Sequence, residues 1–291
     1  MAGPPPTLLI TGAAGQLGTS AHRAFTVAGW DVVATDIEEL DIRDRTAVLD
    51  AVGGLRPDAV LNAAAITNAD VCEAEQALAL ATNVTAVGHL AEACRHHGAL
   101  LCQLSSDYVF DGTKRQPYHE ADEPDPLSLY GRTKLDGERL VGAEGLVVRT
   151  AWLSSASGRN IVRTVLAQAA EPGRQLAYVD DQRGSPTFAD DLSEALVHLL
   201  TERWTGIFHV TNQGEATWFD LARRVLVEAG HDPARIHPIT TEDLDPPRLA
   251  RRPAYSVLDN GALRLSGHPL LRHWTDALAS VVAEVLRSPV T

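Results

Sequence analysis

Tyr130 and Lys134 are the residues whose types and spacing best fit acid–base chemistry. Residues four apart lie on the same face of a helix, so we expect the phenol and the ammonium to face the same space. A cation beside a phenol favours the phenolate, which would move the pKa of Tyr130 from about 10 toward neutral and suit it to general acid or base catalysis. The chain has two lysines, Lys114 and Lys134, and chemistry that needs a compact ammonium rather than a planar guanidinium would explain the second. The alternative is a surface helix with an ordinary tyrosine and lysine.

Three glycines near the N-terminus have the spacing Gly-x-x-Gly-x-x-Gly. Gly12, Gly15 and Gly18 follow the apolar run 7–11 and precede a helical pattern at 21–28. A strand, a glycine turn and a helix in this order let the backbone approach a pyrophosphate, which then lies at the helix N-terminus. The segment therefore predicts dinucleotide binding.

Asp36 ends a second predicted strand at 30–35, about twenty residues after the glycine turn. An acid in this place would bind the adenosine ribose hydroxyls and repel a 2′-phosphate, which favours NAD(H). An N-cap or loop aspartate is an equally good interpretation. Arg43 and Arg45 follow and would instead accept a 2′-phosphate, so the sequence leaves NADH and NADPH both open.

Strand and helix patterns alternate through the first half of the chain. Further strands are predicted at 59–65, 100–105 and 146–152, and helices at 46–53, at 77–97 and from about Tyr130. This alternation predicts an α/β fold with a Rossmann-like doubly wound parallel sheet. We expect a dinucleotide-binding domain at 7–153, with a return crossing around 186–200.

Beyond residue 153 the pattern loosens into a smaller α/β substrate domain, predicted over 154–291. Its elements are predicted at 160–170, 176–179, 190–200, 207–210, 217–229 and 276–286. Residues 1–6 are expected to form a disordered tail. They contain neither the basic region nor the apolar core of a signal peptide.

Polar and small residues follow the predicted strands where open α/β sheets bind ligands. The third strand ends in Ala63, Ala64 and Ala65, which leave room for a flat group against the backbone, and the fourth ends in Ser106 and Asp107. Asn83 lies on an otherwise apolar helix face. It is expected to bind a water molecule or a kinked backbone, or simply to be solvated.

The composition argues against several classes of function. A net charge of −13 argues against bulk binding of nucleic acid or an anionic membrane. No apolar run approaches the roughly 18 residues of a membrane span. The three cysteines lack metal or redox spacing and are expected to be buried thiols in a reducing compartment, so a cytoplasmic protein is predicted. No metal site is predicted, because His96 and His97 are adjacent and face different sides of a helix.

Taken together, these motifs resemble the dTDP-4-dehydrorhamnose reductase family, within the extended short-chain dehydrogenase/reductase superfamily. The resemblance runs from about Leu8 to Leu286. It rests on Gly15-Gln16-Leu17-Gly18, Ser105-Ser106-Asp107-Tyr108-Val109-Phe110-Asp111-Gly112, Pro126-Leu127-Ser128-Leu129-Tyr130-Gly131-Arg132-Thr133-Lys134, Arg149-Thr150-Ala151-Trp152, Asp181-Gln182-Arg183-Gly184-Ser185-Pro186-Thr187 and Arg252-Pro253.

The resemblance implies hydride transfer from a reduced nicotinamide (NADPH or NADH) to the C4 ketone of a dTDP-linked 4-keto-6-deoxyhexose. Tyr130 would protonate the alkoxide formed at C4, and Lys134 would hold the nicotinamide ribose. Ser106 stands where the family usually has threonine and would donate a hydrogen bond to the ketone oxygen. These three are the predicted catalytic residues.

The resemblance also implies binding residues. Besides Tyr130 and Lys134, the predicted cofactor contacts are Gly12, Gly15, Gln16, Leu17, Gly18, Asp36, Asp41, Ile42, Ala63, Ala64, Ala65, Ile66, Thr67 and Leu104. The predicted substrate contacts are Ser106, Asp107, Trp152, Arg251 and Arg252, with Arg248 a further candidate for the nucleotide pyrophosphate. Trp152 is alternatively a core aromatic residue, and Arg248 part of a plain basic loop.

Other functions remain open at this point. A sister dehydratase or epimerase has the same fold, but a dehydratase typically needs a glutamate after the aspartate, where this chain has Tyr108. Reductases giving streptose-type or talose-type products would need similar machinery. A non-catalytic cofactor-binding regulatory subunit should have lost the acid–base residues, which are all present here. A homodimer is possible.

Overall fold

A six-stranded parallel sheet forms the centre of the protein. The computed structural model describes residues 4–287. Its strands are β1 (Thr7–Thr11), β2 (Asp31–Thr35), β3 (Ala59–Asn62), β4 (Leu100–Ser106), β5 (Leu146–Thr150), β6 (Leu153–Ser154), β7 (Leu176–Val179), β8 (Arg183–Gly184), β9 (Thr187–Phe188), β10 (Gly206–His209), β11 (Ala216–Thr217) and β12 (Ile236–Ile239). Its α-helices are α1 (Gln16–Val27), α2 (Arg45–Leu55), α3 (Ala69–Ala74), α4 (Gln76–Leu80), α5 (Ala86–His97), α6 (Leu129–Val141), α7 (Ile161–Ala169), α8 (Ala189–Thr201), α9 (Trp218–Glu228), α10 (Gly261–Ser266) and α11 (Trp274–Arg287).

The order of strands in the large sheet is β2-β1-β3-β4-β5-β10, and every pairing is parallel. From β1 the chain passes to β2 on one side and then returns to β3 on the other. Such a reversal leaves a crevice at the carboxyl ends of the strands, where open α/β sheets bind ligands. The predicted doubly wound sheet is confirmed.

Helices cover both faces of this sheet because its strands bury both faces. Along β1, Leu8 and Ile10 pack toward α1 and α8 on one side, and Leu9 packs toward α2 and α5 on the other. Successive side chains of a strand point to opposite faces, so one apolar strand contributes to two cores. Phe25 of α1 is completely buried in the first core.

The C-terminal part has a core of its own. Helices α7, α9 and α11 pack around Phe188 of β9 and Leu176 of β7, and the latter strand pairs in parallel with β12. The chain crosses back between these elements, since α8 packs on α1 and β10 pairs with β5. A division into domains at residue 153 remains a prediction.

Most predicted elements are confirmed within one or two residues of their ends. The helix predicted at 21–28, however, already begins at Gln16, and some other predicted bounds are wrong. The predicted helix 77–97 is interrupted by a π-helical turn at 81–85. The predicted strands 59–65 and 146–152 end at Asn62 and Thr150, because the residues that follow turn away to form the crevice. Helix α3 was not predicted, because the alanine-rich segment 63–74 shows no clear apolar period.

Residues 4–6 of the predicted tail have no regular secondary structure and are exposed, but the Pro6 carbonyl accepts a hydrogen bond from Asp31 N at 2.9 Å. The tail's first three residues lie outside the described part of the chain, as do residues 288–291 of the predicted second domain. The three cysteines are buried free thiols, as predicted. Within residues 4–287, no helix is long and apolar enough to cross a membrane.

Candidate active site

A cavity of about 780 Å³ opens at the carboxyl ends of β1, β3, β4 and β5. It brings together most residues that the sequence predicted for the site. Those that line it are Gly15, Gln16, Leu17, Gly18, Ala63, Ala64, Ala65, Thr67, Leu104, Ser106, Asp107, Tyr130, Lys134, Trp152, Arg248 and Arg252. Those that do not line it are Gly12, Asp36, Asp41, Ile42, Ile66 and Arg251.

The glycine turn forms one wall of the cavity through close contacts of its backbone. Gly12 has a φ of +73°, and a Cβ there would lie 2.6 Å from Ala64 N, while a Cβ on Gly18 would lie 2.3 Å from the Gly12 carbonyl oxygen. These positions therefore require glycine. Gly15 is the N-cap of α1, no side chain caps this helix, and its first turn has no acidic residue. The first-turn N–H groups are thus free to bind an anion, which fits the pyrophosphate of a dinucleotide.

Asp36 lies just behind this wall and is held by backbone N–H groups. Its Oδ2 accepts a hydrogen bond from Ala14 N at 2.9 Å and its Oδ1 accepts one from Ile37 N at 2.8 Å. Asp36 therefore supports the glycine turn from the end of β2. Each carboxylate oxygen retains a lone pair for a further donor, so binding of a ribose hydroxyl remains a prediction.

Asp41 and Ile42 have partners that explain why they lie off the cavity. Asp41 forms a bidentate ion pair with Arg43, with Nη2 to Oδ2 at 2.7 Å and Nε to Oδ1 at 2.8 Å. Arg43 holds the pKa of the Asp41 carboxyl below its usual value. Ile42 packs in the core beside α2 and α5. The other arginine proposed for a 2′-phosphate, Arg45, is paired with Glu92.

Tyr130 lies in the first turn of α6 at the opposite wall. Ser128 caps this helix by accepting a hydrogen bond from Gly131 N at 3.3 Å. A Cβ at Gly131 would lie 2.1 Å from the Tyr108 carbonyl oxygen, so the helix can approach residue 108 only with glycine there. Through this approach the rings of Tyr108 and Tyr130 meet edge to face, with centroids 5.5 Å apart.

The protonation of Tyr130 differs from the sequence-based prediction. Burial raises the pKa of its phenol above the usual range, the Ser106 hydroxyl lowers it to a smaller extent, and the Asp107 charge raises it. Burial acts on the neighbouring ammonium as well and brings the pKa of Lys134 down to about 8, although the Glu138 charge opposes this shift. Tyr130 is therefore a neutral phenol near neutral pH. That state is the one needed to donate a proton.

Ser106 and Asp107 lie where β4 ends, under the phenol. The Ser106 hydroxyl donates to Asp107 Oδ1 at 2.9 Å, and Ser256 donates to Asp107 Oδ2 at 2.5 Å. Burial raises the pKa of Asp107 to about 6, although both hydroxyls oppose the shift. The carboxyl group is therefore still mostly ionised at neutral pH, and it accepts the hydrogen bond of the Ser106 hydroxyl in the cavity.

Trp152 follows β5 in a strained conformation. Its φ is +48°, which is an outlier for a bulky side chain. Its indole ring stacks on that of Trp218, with centroids 3.6 Å apart and an interplanar angle of 7°. A Cβ at Gly184 would lie 2.5 Å from the Trp152 ring. Sequence reasoning missed Trp218, which also lines the cavity, since its position in a helix gave no signal of a site.

The three arginines predicted as substrate contacts in the 246–253 segment have different surroundings. Arg252 forms a bidentate ion pair with Asp70, at 2.9 and 2.7 Å, and Arg248 lies 3.7 Å from the same carboxylate. The hydrogen bonds from Arg252 are the main reason why the pKa of Asp70 is well below its usual range. Arg251 is exposed and does not line the cavity, so its role as a substrate contact stays a prediction.

A further residue of the cavity wall comes from the loop after β6. Arg159 lines the cavity near the start of α1 and was not predicted. Its loop is fastened to Gln16, whose Oε1 accepts a hydrogen bond from Asn160 Nδ2 at 3.0 Å. The sequence gives no signal for this residue, because it is a basic residue in a loop that has no periodic pattern.

Asn83 binds a kinked backbone, one of the alternatives that the sequence left open. It lies in the π-helical turn, and its amide accepts from Ile66 N at 2.9 Å and donates to the Ile66 carbonyl at 3.0 Å. This clamp fixes the segment after β3 through its backbone, so the Ile66 side chain need not face the cavity. Turns of this type are frequent at functional sites.

Comparison with known proteins agrees with this geometry. The sequence model described as the RmlD substrate binding domain matches residues 6–287. The chain belongs to this family. It is 43% identical over 284 residues to a dTDP-4-dehydrorhamnose reductase of Streptomyces griseus, covering 94% of this chain and 92% of that protein. It is 40% identical over 274 residues to a dTDP-4-keto-6-deoxy-D-glucose reductase of Streptomyces niveus, covering 93% and 94%.

A solved structure of the family has the same fold over nearly the whole chain. The dTDP-4-dehydrorhamnose reductase of Bacillus anthracis, in complex with NADP, superposes with a TM-score of 0.91 at 32% identity, covering 96% of this chain and 99% of that one. The family resemblance predicted from the motifs is confirmed. Among residues 4–287, no group of three or more His, Cys, Asp and Glu side chains could hold a metal ion.

Proposed function

We propose that this protein is an NAD(P)H-dependent reductase of the C4 ketone of a dTDP-linked 4-keto-6-deoxyhexose, with dTDP-4-dehydrorhamnose as the substrate and dTDP-L-rhamnose as the product. One observation carries the proposal. Tyr130, Lys134 and Ser106 line the same cavity as the uncapped, glycine-built start of α1. The names of the relatives from S. griseus and S. niveus agree with a reductase of this class.

The cofactor fits the wall that the backbone forms. The N–H groups at the start of α1 would bind the pyrophosphate, and Ala63, Ala64 and Ala65 leave the strand edge flat. When bound there, a reduced nicotinamide supplies the hydride for the substrate carbon. The B. anthracis relative was solved with NADP, which supports this class of cofactor.

The side chains of the opposite wall would handle the oxygen and its proton. The Ser106 hydroxyl, which donates to Asp107 in this structure, would turn to donate a hydrogen bond to the ketone oxygen and so stabilise negative charge as it develops there. Tyr130 would give its phenolic proton to that oxygen, since burial keeps the phenol protonated. Lys134 would hold the nicotinamide ribose and offset the charge left on Tyr130.

A reductase fits this site better than the alternatives do. Asp107 is followed by Tyr108, so the residue after the aspartate supplies no carboxylate for a dehydration. A regulatory subunit without turnover would have no need of a buried tyrosine and lysine beside the glycine turn. Talose-type and streptose-type ketosugars remain possible substrates. A homodimer and a cytoplasmic location stay predictions.

The test is incubation of the purified protein with dTDP-4-dehydrorhamnose and reduced nicotinamide, following the loss of nicotinamide absorbance and identifying the sugar product. Other dTDP-4-keto sugars form the comparison set, and a UDP-linked 4-keto sugar is the control for the nucleotide. We expect reduction at C4 with no net loss of water. Elimination of water, or no turnover with any ketosugar in the set, would contradict the proposal.

A further inference from the structure

Glu138 is a buried carboxylate that the proposed chemistry does not use. It follows Lys134 by four residues on α6, as Lys134 follows Tyr130, so the three side chains form one stripe along the helix. Glu138 is 7% exposed and does not line the cavity. Any effect that it has on the site must therefore pass through its neighbours.

Arg149 of β5 is the principal partner of Glu138. Its Nε donates to Glu138 Oε1 at 2.9 Å and its Nη2 donates to Oε2 at 2.7 Å, while Ser105 of β4 also donates to Oε1. Arg149 is only 2% exposed. The pair thus ties the helix of Tyr130 to the two strands that run beneath it, next to Ser106.

His209 of β10 continues the network. Its Nδ1 lies 3.0 Å from the Tyr118 carbonyl oxygen and 3.2 Å from that of Asp259, so the proton must be on Nδ1 and Nε2 can accept from Arg149 Nη1 at 3.4 Å. Burial and the Arg149 charge lower the pKa of His209 to about 3, which keeps the ring neutral. Each nitrogen of the Arg149 guanidinium and each oxygen of the Glu138 carboxylate therefore has a partner, in a network that spans four elements.

Stability alone does not account for such a pair. Removing two charges from water costs free energy that their attraction often fails to recover, and apolar residues of similar volume are frequently as stable. What an ion pair adds is a fixed geometry and a fixed charge. Both would matter beside a buried ammonium whose partners in the reaction must be held within a fraction of an ångström.

We propose that Glu138 and Arg149 form a positioning unit for the acid–base site, in which Glu138 keeps the Lys134 ammonium charged and the pair fixes Tyr130 on α6 relative to Ser106 on β4. This inference rests on the proposed function, because it assigns the unit to ketone reduction. Glu138 and Arg149 act through Lys134, Tyr130 and Ser106, and neither touches the substrate.

The charges around Lys134 favour this assignment. Burial lowers the pKa of Lys134 to about 8, and the Glu138 carboxylate is the main charge that opposes the shift. Cys72, which faces Lys134 from α3, is not a competing anion at neutral pH, since burial raises the pKa of its thiol to about 11. Tyr130, with its raised pKa, is likewise neutral. Loss of Glu138 would therefore deprotonate Lys134 at a lower pH.

The test is the double variant Glu138→Gln/Arg149→Met. It removes both charges at nearly constant volume and leaves an amide oxygen to accept from Ser105, so no buried charge is left alone. The matched control is Asp191→Asn/Arg272→Met, which removes an ion pair of similar geometry (Nε to Oδ2, 2.9 Å) away from the cavity. For each protein we would measure the thermal midpoint, kcat against pH, and the Kd of NADH against pH without substrate.

We expect the double variant to fold with a thermal midpoint close to the parent and to lose about tenfold to a hundredfold in kcat at neutral pH. The high-pH limb of kcat and of NADH binding should move down by about one pH unit. The control should keep the parental kcat and both profiles. A folded double variant with parental kcat and unmoved limbs would show that the pair is only structural.

The proposed function and this inference fail in different ways. If the parent turns over no dTDP-4-keto sugar, the proposed function fails. The pH dependence of the NADH Kd in the parent and the double variant still tests whether Glu138 keeps Lys134 charged. If the parent is active and the double variant matches it in every measurement, only the positioning role fails. If the double variant does not fold, Ser105→Ala tests the same unit, because it removes one hydrogen bond from Glu138 and leaves both charges. An unchanged kcat in that variant would overturn the proposal.

Discussion

The two walls of the cavity are built on different physical principles. The glycine-turn wall consists of backbone groups and small residues packed so closely that a Cβ on Gly12 would lie 2.6 Å from Ala64 N. The opposite wall consists of large polar side chains, among them Tyr130 and Lys134, which are buried. The first wall can bind a flat, charged ligand without any titratable group. The second can move a proton, so binding and chemistry should be separable by mutation.

The most severe test of this separation is Tyr130→Phe. Loss of the proton donor should lower kcat by about a hundredfold to 10⁴-fold, the usual contribution of general acid catalysis. The Kd of NADH should change little, because the glycine-turn wall is untouched. Steady-state kinetics and fluorescence titration measure the two quantities. Equal loss of both would show that the walls are not independent.

The converse test is Gly12→Ala, on the binding wall. The added Cβ must take a positive φ and would lie 2.6 Å from Ala64 N, so the turn must open and the Kd of NADH should rise by about a hundredfold. Gly29→Ala is the matched control, since Gly29 also has a positive φ (+86°) but a Cβ there would meet nothing within 4 Å. Both variants should lose stability by about 1 kcal/mol or more. Only Gly12→Ala should lose the cofactor.

Asp36→Asn sharpens the comparison by changing charge without changing shape. The carboxylate should repel the 2′-phosphate of NADPH, and an asparagine oxygen can still accept from Ala14 N. We expect the ratio of kcat/KM with NADPH to that with NADH to rise by about tenfold in the variant. An unchanged ratio would mean that Asp36 serves only to hold the glycine turn.

The smallest effect concerns Asp107 and the pH dependence of stability. Its pKa is raised to about 6 in the folded protein from an ordinary value of 3.8. Because the folded state favours the protonated form, the stabilisation is complete below the ordinary pKa and is lost as the pH rises through about 6. Relative to Asp107→Asn, the parent should therefore lose about 1 kcal/mol of unfolding free energy between about pH 5 and pH 8. Urea unfolding at both values measures this, and a constant difference would contradict the assignment.

The features that could be predicted from the sequence are those that depend on local residue patterns. The glycine spacing and the buried strands specify local backbone geometry, so the sheet and the turn could be predicted from periodicity and residue type. Tyr130 and Lys134 could be predicted for the same reason, since their spacing is a property of one helix. Both walls of the cavity therefore contain a motif that is local in sequence: the glycine turn in one wall, and the Tyr130–Lys134 spacing in the other.

The features that were missed depend on tertiary contacts. The stack of Trp218 on Trp152 joins two segments that have no common pattern, and Arg159 reaches the cavity only because Asn160 binds Gln16. The expected lowering of the Tyr130 pKa was wrong because spacing reveals neighbours and not burial, and here burial has the larger effect. Nothing in the local sequence indicated that Arg252 would form an ion pair with Asp70.

The ion pair between Asp70 and Arg252 also bears on how the protein is made. The two residues are 182 positions apart, a distance that a ribosome covers in roughly 10 to 40 s at about 5–20 residues per second. During that interval the sheet can form while the carboxylate has no arginine to meet. The cavity should therefore be completed only near the end of the protein's own synthesis, once Arg252 and the helix α11 that follows it have left the ribosome.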